Sequence, residues 1–315
     1  MELKDRIGQL SQAKQLALRK LLENKDIGDD ALLSLAGSNV RMLREGEPKL
    51  FLYPATDGSV GYMRHYLPHV PEHWGVYALQ TPGLEGEQEP YRTIADIARH
   101  GIARMREVQP TGPYYIAGHC MGGLPAYETA RQLSESGDEV GLVLHLYPIF
   151  NRPWKDLPTA QDELQLRAIL DYCYIIEHLL DVKIDLPVEA LAALGREAQM
   201  DRVIEEFRRH NYLGSADPEI IRTRMAIYQA NLSAMLTYRP PSVFPGNVTI
   251  LAAGQKRRGD MVIDPRSPYA APLRSLREDQ VETILVEADE GAMFDGSEPH
   301  ISAIGREIRR VIGAL

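Results

Sequence analysis

Short apolar runs alternate with helical patterns along most of the chain. Six runs are apolar on both faces, as expected for strands of a parallel sheet that helices cover on both sides. They are Lys49–Ala55, Trp74–Gln80, Tyr114–Gly118, Glu139–Tyr147, Asn247–Gly254 and Val281–Ala288. Apolar residues recur at helical spacing in Ile94–Val108, Leu124–Leu133 and Ile301–Ile312. This alternation predicts an α/β fold with a mostly parallel, doubly wound sheet.

Residues 155–240 depart from this alternation. They contain helical patterns, such as Leu164–Leu180 and Ile220–Leu236, but no convincing strand. A helical block inserted between two strands usually covers the strand ends where ligands bind. We therefore expect a helical lid whose apolar side chains are divided between lid packing and an acyl tunnel. These side chains include Tyr172, Ile176, Tyr228 and Leu232.

Residues 1–45 have a different pattern, with leucine and alanine at helical spacing between basic residues. This pattern predicts an N-terminal helical segment, either a linker that packs on the main domain or a docking segment. The α/β domain would then occupy residues 46–315.

Composition narrows the class of protein. Of 315 residues, 44% are hydrophobic and 25% are charged, the usual balance of a globular protein. The net charge of −9 argues against a nucleic-acid partner. No apolar run approaches the roughly 18–20 residues of a membrane span, and the first residues do not resemble a signal peptide. Two cysteines are too few for a disulfide framework, so we expect a reducing, cytoplasmic location.

The most informative segment is Gly-His-Cys-Met-Gly-Gly at residues 118–123. It lies directly after a predicted strand and directly before a predicted helix, which is the context of a nucleophile elbow. Glycines remove the β-carbons that would clash in so sharp a turn, and the helix N-terminus favours negative charge on the nucleophile. Cys120 is therefore the predicted nucleophile. The alternative is a small buried cysteine in a glycine-rich turn.

With this elbow, the sequence resembles the α/β-hydrolase thioesterase domains that release products from nonribosomal peptide and polyketide synthases. The resemblance covers roughly residues 42–315. The motifs that carry it are Pro54-Ala55 with Gly58-Ser59, Tyr77 to Leu84 (YALQTPGL), Gln109 to Tyr114 (QPTGPY), the elbow itself, and Tyr127 to Leu133 (YETARQL).

The resemblance implies a substrate and a partner. The acyl group would arrive as a thioester on the phosphopantetheine arm of a carrier protein, with no bound cofactor, and would pass to a small-molecule acceptor. Met121 would supply one backbone N–H to the oxyanion hole, and Ala55 or Thr56 the second.

Two positions of the family's catalytic triad are changed. Leu146 stands where the family has an aspartate, and Glu290 stands where it has the histidine. Moving a proton from a thiol of pKa about 8.5 to a carboxylate of pKa about 4.3 costs roughly 6 kcal/mol, against roughly 3 kcal/mol for an imidazole. Burial that raises the pKa of Glu290 would close part of this gap. Glu290 is thus the candidate proton carrier, unless it is a solvated surface carboxylate.

Other side chains are alternatives for the missing base. His145 ends a strand beside Leu146, His119 lies in the elbow, and His178 and His210 lie in the predicted lid. Further carboxylates are Asp57, in the first oxyanion turn, and Asp260, after the fifth predicted strand; both are auxiliary candidates or solvated loop residues. If Asp57 and Glu290 face Cys120, the pocket is acidic and suits an amine acceptor. The histidines form no persuasive metal site.

These features predict a cysteine-dependent, thioesterase-like enzyme that releases or transfers carrier-bound acyl or peptidyl chains. The missing histidine favours transfer or cyclisation over hydrolysis. The main alternative is a degenerate thioesterase fold that binds a carrier or an acyl chain without turnover. A third is a lyase or a carbon–carbon bond-forming cyclase. The sequence names neither the acyl group nor the acceptor, and it leaves open whether the chain is free-standing or excised from a synthase.

Overall fold

Within the residues that the computed structural model describes, seven strands form one sheet. These residues are 39–84, 88–147, 164–180, 183–209, 218–255, 278–289, 293 and 296–315. The strands are β1 (Val40–Arg44), β2 (Lys49–Tyr53), β3 (Gly75–Leu79), β4 (Tyr114–His119), β5 (Val140–Leu146), β6 (Val248–Gln255) and β7 (Val281–Asp289). The order across the sheet is β1-β3-β2-β4-β5-β6-β7. Only β1 is antiparallel to its neighbour, so the predicted, mostly parallel sheet is confirmed.

Helices cover both faces of this sheet. They are α1 (Ile94–Val108), α2 (Gly123–Glu135), α3 (Leu164–Leu180), α4 (Val188–Ala192), α5 (Arg196–Arg209), α6 (Pro218–Thr237) and α7 (His300–Ile312). Apolar side chains of α1 and α2 join one core cluster, and those of α7 and of a 3-10 helix at Gly61–His69 join a second. Because strand side chains alternate in direction, each strand supplies both clusters.

Two elements were not predicted from the sequence. Strand β1 lies within residues 1–45, where only helical structure was expected, and the 3-10 helix at Gly61–His69 follows β2. Residues 1–38 lie outside the described part of the chain, so the helical linker there stays a prediction. At β5 the expected strand, Glu139–Tyr147, was one residue too long at each end, and Tyr147 leaves the strand with a φ of 50°.

The described part of the lid is helical, as expected. Helices α3 to α6 share a third core cluster, which contains Tyr172, Ile176, Tyr228 and Leu232. These four side chains therefore serve lid packing. Helix α6 also contacts the turn after β2, where the Asn231 side-chain amide donates to the Thr56 carbonyl at 2.9 Å. This contact places α6 at the carboxyl ends of the strands.

A buried ion pair anchors α2, the helix that begins at the elbow. The Glu128 carboxylate is fully buried and accepts hydrogen bonds from Arg131 at 2.7 and 2.8 Å and from the Tyr238 hydroxyl at 2.6 Å. Arg131, Gln132 and Tyr238 together hold the pKa of Glu128 below its ordinary value, although burial alone raises it. Helix α2 is thus tied to the segment that follows the lid.

Removing Arg131 should leave this carboxylate buried without its charge partner. We expect Arg131→Met to lower the free energy of unfolding by roughly 3 kcal/mol, the usual cost of breaking a buried pair from one side. Arg99→Met is the control, because Arg99 pairs with Asp96 on the surface and such pairs contribute at most about 1 kcal/mol. Urea unfolding of both variants measures the difference. Equal losses would contradict a structural role for the buried pair.

Candidate active site

The backbone of Cys120 has the conformation of a strained elbow. Its φ is 55°, a left-handed value that is uncommon for residues other than glycine. Cys120 directly follows β4 and opens a 3-10 turn that leads into α2. A β-carbon on Gly118 would overlap the Gly122 carbonyl, and one on Gly122 would overlap the Pro54 carbonyl. The glycines around Cys120 are therefore required by close backbone packing.

His145 lies beneath the elbow and holds its backbone. The His145 Nε2 atom lies 2.6 Å from the Cys120 carbonyl oxygen, and a β-carbon on Gly123 would overlap the imidazole ring. Because a carbonyl oxygen only accepts, Nε2 carries the proton and donates it. Burial lowers the pKa of His145 to about 4, so the ring is neutral at neutral pH. Its Nε2 atom is therefore committed to the backbone of Cys120.

His119 is also neutral and forms part of a short chain of hydrogen bonds. The Ala55 N–H donates to the Tyr62 hydroxyl oxygen at 3.0 Å, and the Tyr62 hydroxyl lies 2.9 Å from His119 Nδ1. Burial and the neighbouring His145 lower the pKa of His119 to about 3. The Tyr62 hydroxyl and the neutral imidazole therefore share one hydrogen bond, whose direction depends on the tautomer of His119.

The hydrogen bond from the Ala55 N–H to Tyr62 helps to decide which residue completes the predicted oxyanion hole. Because the Ala55 N–H already has an acceptor, Thr56 is the better of the two candidates for the second donor. Ala55, Thr56, Cys120 and Met121 are all buried, and β2 pairs with β4 up to Tyr53 and Gly118. The ends of these neighbouring strands thus bring the candidate donors to the side of the elbow.

Asp57 lies near Arg224 of the lid and is only partly exposed to solvent. The Ser59 hydroxyl donates to its carboxylate at 2.5 Å. Desolvation raises the pKa of Asp57, while the Ser59 hydrogen bonds and the positive charge of Arg224 on α6 oppose this rise. The residue is partly exposed at its surface but lies between the first turn and the lid. Arg224 therefore offsets the acidic character that the sequence predicted for this pocket.

Some predicted site residues fall outside the described part of the chain. Glu290, Asp260 and His210 belong to this group, and so does the side chain of His178. Leu146, at the predicted position of the missing acid, is buried in the core cluster on the face opposite His145.

Sequence reasoning did not single out Tyr62, Tyr66 or Arg224. Tyr62 and Tyr66 lie in a 3-10 helix, whose period of three matches neither the helical nor the strand pattern. Two tyrosines four residues apart after the first turn were the only signal. Arg224 acts on Asp57 electrostatically from a distant segment of the chain, which leaves no local signal.

The described residues contain no group of three or more histidine, cysteine, aspartate or glutamate side chains that would hold a metal ion. None of their helices combines the length and the apolar composition that a membrane crossing requires.

Comparison with known proteins identifies the family. The thioesterase domain family matches residues 48–311, most of the chain. The chain belongs to this family, which confirms the resemblance inferred from the sequence. The α/β-hydrolase fold expected from that resemblance is confirmed as well.

Similar curated proteins are nonribosomal peptide and polyketide synthases. The dimodular nonribosomal peptide synthase of Bacillus subtilis is 30% identical over 250 residues, covering 77% of this chain and 10% of that protein. The probable non-canonical nonribosomal peptide synthetase CymA of Salinispora arenicola is 30% identical over 200 residues, 63% of this chain and 2% of that protein. The non-reducing polyketide synthase PKS16 of Cladonia grayi is 40% identical over 96 residues, 30% of this chain and 4% of that protein. The chain thus spans a tenth or less of these relatives.

Solved structures show the same architecture. Holo-AB3403, a four-domain nonribosomal peptide synthetase bound to AMP and glycine, matches with a TM-score of 0.72 at 25% identity over 97% of this chain and 22% of that one. The NocB thioesterase domain, in a covalent complex with a fluorophosphonate nocardicin G analog, matches with a TM-score of 0.55 at 21% identity, covering 88% of this chain and all of that one. The likeness to the NocB thioesterase domain establishes the shared fold.

The buried His145 should make folding sensitive to mild acid. Between the unfolded pKa of 6.5 and the folded pKa of about 4, the unfolded chain binds more protons, so stability falls as the pH falls. The shift corresponds to a loss of up to about 3 kcal/mol. His145→Gln keeps a side-chain N–H donor but does not titrate. We expect it to reduce the slope of unfolding free energy against pH in this window, measured by urea unfolding. An unchanged slope would show that His145 has the same pKa in the folded and the unfolded protein.

Proposed function

We propose that this chain is a thioesterase-type acyl-transfer domain in which Cys120 takes the acyl group from a carrier-bound thioester. The Cys120 sulfur attacks the thioester carbonyl carbon, the phosphopantetheine thiolate leaves, and a new thioester forms on Cys120. An acceptor then attacks that thioester and restores the thiol. The observation that carries the proposal is the left-handed Cys120 backbone at a strand-to-helix elbow in a thioesterase-family domain.

A thiol suits a site that lacks the usual base. With a pKa near 8.5, a few per cent of an ordinary cysteine is already thiolate at pH 7, and thiolates are strong nucleophiles. The N-terminus of α2 behind the elbow favours that negative charge. Attack on a thioester by a thiolate also exchanges one thioester for another, so the reactants and products of the first step have similar free energies.

The second step, in which an acceptor removes the acyl group from Cys120, differs from the second step of a hydrolase. Water needs a base to remove its proton. His119, which precedes Cys120 in the chain, and His145, which lies beneath the elbow, each form a hydrogen bond to another group. His119 Nδ1 shares a hydrogen bond with the Tyr62 hydroxyl, and the Nε2 of His145 donates to the Cys120 carbonyl. An acceptor that is already a good nucleophile, or an intramolecular one, depends less on such a base. We therefore propose transfer or cyclisation in preference to hydrolysis.

A free amine is the acceptor that the Asp57 carboxylate would favour. Asp57 supplies a carboxylate between this turn and the lid, although Arg224 competes for it. The Thr56 and Met121 N–H groups are the proposed oxyanion donors, and Asp260 is a further auxiliary carboxylate. The proposed partner is an acyl or peptidyl carrier protein, with residues 1–45 as linker or docking segment.

Acylation of Cys120 is the direct consequence of this proposal. After incubation with an acyl-pantetheine thioester, mass spectrometry of the intact protein and its peptides should find one acyl group, on Cys120. Cys120→Ala should lose the adduct and keep the fold, because its only change is a smaller side chain. Cys173→Ala is the matched control, because Cys173 is equally buried but lies in the lid core, and it should acylate like the wild type. A folded wild-type protein that gains no adduct would favour the reading of a binding protein without turnover.

Glu290 is the proposed proton carrier for the second step. Glu290→Gln keeps the shape of the side chain and removes its titrating group. We expect it to slow turnover by roughly 10²–10⁴, the usual range for general acid–base catalysis, while acylation of Cys120 continues. Single-turnover acylation and steady-state release, measured on the same protein, separate the two steps. Equal release rates in the variant and the wild type would remove Glu290 from the mechanism.

A further inference from the structure

The lid helix α6 lies along the turn that follows β2, and this turn carries the proposed oxyanion donor Thr56. The Asn231 side chain of α6 is 1% exposed, and its Nδ2 atom donates to the Thr56 carbonyl oxygen at 2.9 Å. Ile227 packs against the same turn, since a β-carbon added to Gly58 would come within 3.2 Å of the Ile227 Cγ2 atom. Residues four apart share one face of a helix, so this face of α6 is fitted to the turn.

The Asn231 amide forms only part of the hydrogen bonds that its side chain allows. A carbonyl oxygen only accepts, so the bond to Thr56 fixes which end of the amide is Nδ2 and which is Oδ1. Within the described residues, the buried Oδ1 atom has no hydrogen-bond donor. A buried acceptor without a donor costs free energy, and a leucine of similar size would fill the space without that cost. Packing of the lid therefore does not explain an amide at this position, whereas its bond to the turn does.

The backbone of the turn leaves the Thr56 N–H available. The Ala55 N–H donates to Tyr62, and the Gly58 N–H donates to the Ala55 carbonyl at 3.0 Å. No hydrogen bond joins the Thr56 N–H to a described residue. Two soft dihedral angles separate this N–H from the carbonyl of the same residue. A carbonyl held by Asn231 therefore restricts the direction in which the Thr56 N–H points.

The same segment also reaches the other side of the elbow. Tyr238, directly after α6, donates to the buried Glu128 of α2 at 2.6 Å. Helix α2 begins two residues after Met121, the other proposed oxyanion donor. The segment of α6 and Tyr238 thus binds both parts of the chain that carry the proposed donors.

We propose that Asn231 is a positioning residue that holds the Thr56 N–H toward the oxyanion formed when Cys120 attacks a thioester. As the sulfur bonds to the carbonyl carbon, negative charge moves to the carbonyl oxygen, and it leaves with the phosphopantetheine thiolate. Asn231 touches none of the reacting atoms and acts through Thr56. The inference rests on the proposed function and deepens it, because it assigns the lid a part in the oxyanion hole.

The test compares two reactions of the same sulfur. Acylation by an acyl-pantetheine thioester passes through an oxyanion, whereas alkylation by iodoacetamide displaces iodide at a saturated carbon and forms none. We expect Asn231→Leu to lower the maximal single-turnover rate of Cys120 acylation by about 10- to 100-fold, less than the loss of a whole donor. The thioester concentration at half-maximal rate and the alkylation rate should each change by less than about twofold, because neither depends on the oxyanion.

Gln199→Leu is the matched control. Gln199 is also a buried lid amide, and its Nε2 atom donates to the Leu191 carbonyl within the lid at 3.1 Å. This variant loses the same kind of hydrogen bond, away from the turn, and should acylate and alkylate like the wild type.

The outcomes separate the inference from the proposed function. Acylation of Asn231→Leu at the wild-type rate, or equal slowing of acylation and alkylation, would overturn the role of Asn231 and leave Cys120 as nucleophile. A folded wild type that gains no acyl group would overturn both. Asn231→Ala also lacks the amide, for use if Asn231→Leu unfolds, and should show the same selective loss of acylation.

Discussion

The left-handed backbone of Cys120 is the constraint on which the rest of the site depends. L-residues other than glycine rarely adopt such a φ, and the surrounding structure must hold it in place. Gly118 and Gly122 allow the chain to fold back against itself and against β2, where any β-carbon would clash. The sheet fixes the entry to the turn through β4, and α2 fixes its exit, because Tyr238 beyond the lid donates to the buried Glu128 of that helix.

The two histidines near Cys120 show how the position of a side chain decides what chemistry it can perform. Both would be natural bases by residue type, yet each is buried, neutral and hydrogen-bonded to a group other than the sulfur. His145 instead supports the strained turn by donating to its carbonyl. In the proposed mechanism the site therefore relies on a thiol that ionises easily and on the N-terminus of α2.

Much of the fold and part of the site follow from local sequence patterns. The central strands and the elbow could be predicted because buried strands are continuous apolar runs and the turn needs its glycines in a fixed order. Strand β1 was missed because it is an edge strand with one exposed face, as Met42 shows. The packing of Tyr62 and Tyr66 against His119 and the electrostatic influence of Arg224 on Asp57 link distant segments, which no local period encodes.

The most direct test of this account is a crystal structure of the protein after reaction with a pantetheine-derived chloroketone. The account predicts a covalent bond from the electrophile to the Cys120 sulfur, with the ketone oxygen facing the Thr56 and Met121 N–H groups. The pantetheine arm should pass beneath α6. Attachment to Cys173, or a Cys120 whose φ is negative and whose sulfur is unmodified, would contradict it.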